Sequence, residues 1–204
     1  SHLGSRILYH IINKRDDALS ERVYTPWPDM EEQMRHNDAP MFSLETKRPL
    51  RAFDIIGFSL LYEMCYTNIL TILDLAGIPF FSKDRSEDMP LIISGGPCTV
   101  NPEPVAPFMD AVLIGDAEEM IGELLEAVKN AKQEGLNKNQ LLEALSRIEG
   151  VYIPSFYEPE YDDRSIFRKL KKLEANAPDK VGRRVVRDLD HAEYIGKPIV
   201  PYLP

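Results

Sequence analysis

Cysteine is almost absent from this sequence: only Cys65 and Cys98 occur in 204 residues. Two thiols exclude a disulfide scaffold and an all-cysteine metal site. Histidine is also scarce, and His2, His10, His36 and His191 show no ligand spacing. Positive charge is short, with 24 Lys and Arg against 33 Asp and Glu and a net charge of −9. Such a chain binds nucleic acid or an anionic membrane poorly. Its one basic cluster is Arg168-Lys169-Leu170-Lys171-Lys172 with Arg183, Arg184 and Arg187. No apolar run is long enough to span a bilayer, and Ser1-His2-Leu3-Gly4 has no basic n-region of a signal peptide. A soluble cytoplasmic protein with no nucleic-acid or membrane partner is the expectation. Internal repeats and low-complexity tracts are missing, as are a Walker loop, a dinucleotide fingerprint and a nucleophile elbow.

What is present alternates. Phe53 to Phe58, Leu91 to Ile93 and Ala111 to Ile114 are short apolar runs that end in small or polar residues, the pattern of buried parallel strands. Helical spacing marks Arg6 to Asn13, Tyr66 to Ala76, Glu118 to Lys132 and Asn137 to Ile148, with Asp116 or Ala117 at the cap of the third. Glu21 to Thr25 reads as a short strand, and Met41 to Leu44 as a minor one. Asp29 is placed to cap a helix through Met30 and Met34. Beyond Gly150 the pattern becomes β ribbon, with Asp162-Asp163 as a hairpin turn and Arg183 to Arg187 as a further strand. These readings divide the chain into an α/β domain over 1–150, a β-ribbon extension over 151–187 and a connector over 188–204.

The expected fold is a Rossmann- or flavodoxin-like α/β domain, a parallel sheet with helices on both faces, followed by a small β-hairpin extension. The chain opens in a helix, whereas a doubly wound unit begins with a strand. Either the first strand lies upstream of Ser1, or another segment takes its place. The resulting sheet edge is expected to pair with a second copy, as a homodimer, or with the C-terminal ribbon.

Ligands of open α/β sheets bind at the carboxyl ends of the strands. Three such ends stand out. Ser59 offers a hydroxyl and Leu61 an apolar contact two residues later, although Ser59 is equally suited to capping the next helix. Gly95-Gly96-Pro97 permits positive φ and close approach by a flat ligand, or makes an ordinary tight turn. Gly115-Asp116 leads into a helix whose acidic start, Glu118-Glu119, complements the macrodipole. A receiver-like phosphoacceptor site needs early acidic strand ends, and Thr25, Ser59, Ser94 and Asp116 do not supply them.

Ser59-Leu60-Leu61 and Gly95-Gly96 resemble two of the three signature elements of the cobalamin-binding (B12-binding) Rossmann-like domain. The wider set of Asp54 to Leu60, Leu73 to Pro79, Ser94 to Cys98, Asn101 to Pro104 and Ile114 to Glu119 resembles the N-terminal part of an uncharacterised bacterial branch of radical SAM proteins. By that resemblance Ser59, Leu61, Gly95, Gly96, Pro97 and Gly115 would line a slot for the nucleotide tail of cobalamin. The Asp-x-His-x-x-Gly element that ligates cobalt is missing from the 204 residues, as is the three-cysteine cluster motif. The resemblance therefore implies a domain without catalytic chemistry of its own. S-adenosylmethionine and a [4Fe–4S] cluster would be held by a radical SAM domain elsewhere in the same protein. A relative that keeps the sheet but binds no cobalamin, serving as a scaffold or substrate-presenting module, is the alternative.

Overall fold

The computed structural model describes residues 3–188 and residue 190. Most of the connector, with His2 and His191, lies outside the described residues. Five α-helices and six strands order the described residues. They are α1 (Leu3–Asn13), α2 (Pro28–His36), β1 (Ile55–Ser59), α3 (Tyr66–Leu75), β2 (Leu91–Gly95), β3 (Ala111–Leu113), α4 (Ala117–Glu134), α5 (Lys138–Leu145), β4 (Val151–Tyr152), β5 (Tyr157–Tyr161) and β6 (Phe167–Lys172). The main sheet has the order β1-β2-β3-β4, parallel from β1 to β3 and antiparallel at β4. The fold is Rossmann-like, as the alternating sequence predicts. Val151–Tyr152, read as the opening of the ribbon, closes this sheet instead.

Side-chain alternation divides the core in two. Ile56, Ile92 and Val112 pack with Ile69, Ile72 and Leu73 of α3 on one face. Ile93 and Leu113 pack with Met120, Leu124 and Val128 of α4 and Leu142 and Leu145 of α5 on the other. The two central strands are buried on both sides, which is why they read as continuous apolar runs. Gly135 ends α4 in the left-handed conformation, and Asn137 starts α5 through a capping box with Gln140.

Several local expectations are corrected. Glu21–Thr25 is not a strand: the Arg22 N–H donates to the Glu45 carboxylate and its carbonyl accepts from the Leu44 N–H, so its polar groups are satisfied without a ladder. Met41–Leu44 contributes only the isolated bridge between Phe42 and Pro49. The cap of α2 is Trp27 rather than Asp29, because Pro28, which has no N–H to satisfy, occupies the first turn. Arg183–Arg187 forms no strand beyond one parallel bridge, Gly115 to Arg184. The ribbon β5–β6 is a separate two-stranded sheet with its turn at Asp162, so it does not cover the free side of β1.

Candidate functional site at the carboxyl edge

The parallel strands bring Ser59, Gly95 and Gly115 to one edge. Ser59 pairs in register with Gly95. Ser59, Leu61, Gly95, Gly96, Pro97 and Gly115 all line a single cleft of about 1810 Å³ that also runs down the free side of β1. Ser59 is exposed and does not cap α3, whose cap position is Cys65. Its hydroxyl lies 3.2 Å from the Ser5 hydroxyl of α1. Leu61, Tyr62, Met64 (82 % exposed) and Val100 (74 %) are exposed apolar residues on the segments that follow β1 and β2.

The glycines are shaped first by the protein itself. Gly96 has φ +108°, and a Cβ there would meet the Leu60 carbonyl oxygen at 2.8 Å. The close approach lets the Cys98 N–H donate to that carbonyl and joins the loops after β1 and β2. Gly115 has φ +115°, and its Cβ would lie 2.1 Å from the Arg184 carbonyl oxygen. Here the Arg184 N–H donates to the Ile114 carbonyl, and the Arg184 carbonyl accepts from the Asp116 N–H. Asp116 stands at the cap position of α4, as expected, but its side chain accepts from the Val186 N–H rather than from the helix. The Arg184 guanidinium pairs with Glu119 and Glu123 of α4. Segment 183–186 is thus pinned across the end of β3. Gly95 is different: its nearest neighbour is Leu113 Cβ at 3.8 Å, ordinary contact, with φ outside the left-handed region.

Three contributors escaped the sequence reading. Thr99 is buried, and its hydroxyl is within hydrogen-bond reach of the Gly96 and Leu113 carbonyls, 2.8 and 2.9 Å away. Ser94 Oγ is buried beneath the edge, lines the cleft and has no hydrogen-bond partner among the described residues. Ser5 is brought to Ser59 by helix packing across 54 positions, which no local pattern signals. Burial, then contact with Cys98, raises the Tyr66 phenol above its ordinary value beside the same loops. Among the described residues no group of three His, Cys, Asp or Glu is arranged to hold a metal ion. None of their helices is long and apolar enough to cross a membrane.

The strand-end loops of this α/β unit thus gather at one carboxyl edge. The family described as radical SAM proteins, N-terminal, matches residues 4–154, and the chain belongs to it. Comparison with curated proteins and with solved structures gave no match.

Proposed function

We propose that this region is a non-catalytic scaffold that seats its carboxyl edge on the radical SAM domain of the same polypeptide. Membership of an N-terminal family of radical SAM proteins supplies the partner's class, and with it the expectation that S-adenosylmethionine and a [4Fe–4S] cluster are held outside the 204 residues. The observation that carries the reading is the composition of the edge. Leu61, Tyr62, Met64 and Val100 are exposed there, while the positive-φ glycines Gly96 and Gly115 are already filled by the backbone of Leu60 and Arg184. Large apolar side chains exposed on the segments that leave two neighbouring strands suit an interaction surface.

The test is limited proteolysis of the full-length protein carrying Met64→Glu and Val100→Glu together. Both side chains are exposed, so the domain's own fold is expected to survive, and cleavage between the two regions is expected to accelerate at least ~10-fold as charge enters an apolar contact. An unchanged cleavage rate, with native circular dichroism, contradicts the reading.

A second reading, cobalamin binding, is favoured by one observation. Ser59 and Gly95 face the same cleft as the orphan Ser94 hydroxyl. These residues fit a nucleotide tail lying over the paired strand ends at Ser59 and Gly95; Gly96 and Gly115 do not add to that fit, since their open faces are occupied. If bound, the corrin would supply cobalt-centred methyl or electron transfer. Anaerobic titration of the full-length protein with hydroxocobalamin separates the readings. A saturable visible-spectrum shift lost in Gly95→Phe favours cobalamin, and no shift favours the scaffold.

A further inference from the structure

The free side of β1 is bounded like a place for one more strand. Asp54 accepts from the Leu91 N–H and the Leu60 N–H donates to Gly95, so the backbone at these even positions faces β2. By alternation Ile56 and Phe58 do the same, and the N–H and C=O groups of Ile55, Gly57 and Ser59 face away from β2. They open into the cleft, whose opposite wall is segment 19–25. Leu8 and Ile12 of α1 and Ile69 and Ile72 of α3 line the cleft, with charged side chains such as Asp17, Lys129 and Lys132 also among the lining. The space therefore has unpaired backbone along β1 and apolar helix surface on its walls, the surroundings of an interior parallel strand.

We propose that this slot takes a strand from the residues that directly precede Ser1 in the same polypeptide, running parallel to β1. Two features choose this occupant over a second copy. The first is where α1 begins. Its first turn reaches the carboxyl end of β1, with Ser5 Oγ 3.2 Å from Ser59 Oγ, where a parallel strand in the slot delivers its chain. A short turn then joins that strand to α1. The second is handedness. The crossover from β1 through α3 to β2 moves one way across the sheet, and α3 covers the Ile56 and Ile92 face. A crossover from the slot through α1 to segment 19–25 moves the opposite way. Right-handed connections then require α1 on the face opposite α3. That is where it lies, against α4, with Arg15 paired to Glu126 and Lys129 to Asp17.

The inserted strand makes the boundary with β1 the point where strand order reverses, which is where doubly wound sheets bind ligands at their carboxyl edge. Its apolar packing also closes the lower part of the cleft and leaves the mouth at Ser59, Gly95 and Gly96. The strand is expected to be apolar on both faces, a continuous run of about five or six residues.

Residue-resolved amide hydrogen exchange tests this on two proteins, the 204-residue chain and the full-length polypeptide with its native upstream residues. In the 204-residue chain, Ile56 and Phe58 exchange slowly while Ile55, Gly57 and Ser59 exchange fast. In the full-length protein all five are slow, with at least ~100-fold added protection at the three slot-facing amides. Gly57→Pro in the full-length protein removes a slot-facing N–H and spares the β2 ladder. It is expected to return Ile55 and Ser59 to fast exchange and leave Phe58 slow. Fast exchange at Ile55, Gly57 and Ser59 in the native full-length protein overturns the proposal. So does protection in the 204-residue chain that rises with concentration, which assigns the slot to a second copy.

Discussion

Gly115 shows how a residue chosen for one role serves another. Small residues at a strand end suggest room for a ligand, and here the room holds the Arg184 backbone. Gly115→Ala is expected to cost about 2–4 kcal/mol, combining strain at positive φ with overpacking, and to release segment 183–186. Urea denaturation and proteolysis near Arg183 check this; an unchanged urea midpoint contradicts it. A second residue-scale feature lies at the opposite edge of the sheet. Arg85 and Asp110 have fully buried side chains 3.1 Å apart. Arg85 also donates to the carbonyls of Pro79, Phe80 and Phe108, and Asp110 accepts from the Ile92 N–H and from Lys138. This network ties the loops before β2 and β3 to the start of α5. Asp110→Ala leaves a buried guanidinium unpaired and is expected to cost about 3–5 kcal/mol, measured by equilibrium unfolding. The sequence hides this pair, because neither residue belongs to a recognisable motif and the two are 25 positions apart.

Among elements, the strands were the most legible part of the chain. β2 and β3 are short apolar runs buried between two helical layers, and the half-buried β1 reads the same way, so composition alone marks them. Segment 21–25 has strand-like composition but no ladder, since a strand is defined by its neighbour as much as by its own side chains. The site was legible only in part. Ser59, Gly95 and Gly96 converge as expected, but Ser5, Thr99 and Arg184 arrive through packing that sequence spacing does not encode. The turn after α1 carries a pH-dependent clamp on α4. Hydrogen bonds first from Arg15 and then from Lys129 hold the Asp17 carboxyl well below its ordinary range. Its folded value lies below its unfolded one, so the clamp's stabilisation is present above about pH 4 and is lost as pH falls through the folded value. Asp17→Asn is expected to lower the melting temperature at neutral pH, with the difference from the native protein vanishing on strong acidification. A difference that stays constant from neutral pH to strong acid contradicts this.

For the whole molecule, the acidic balance and the fold agree on what the domain does with its basic residues. The cluster that suggested a local nucleic-acid patch is largely internally paired: Arg168 with Asp162, Lys169 with Glu160, Lys172 with Asp179, Arg183 with Asp116 and Arg184 with Glu119. The scaffold reading assigns the exposed apolar residues of the carboxyl edge to the partner. Its most direct probe is Met64, a thioether that oxidises readily where solvent reaches it. The measurement is the rate of Met64 sulfoxide formation under dilute peroxide, followed by mass spectrometry, in the 204-residue chain and in the full-length protein. The scaffold account predicts rapid oxidation in the former and at least ~10-fold slower oxidation in the latter, with exposed Met30 oxidising equally in both. Equal rates at Met64 in the two proteins contradict the docking of this edge on the radical SAM domain.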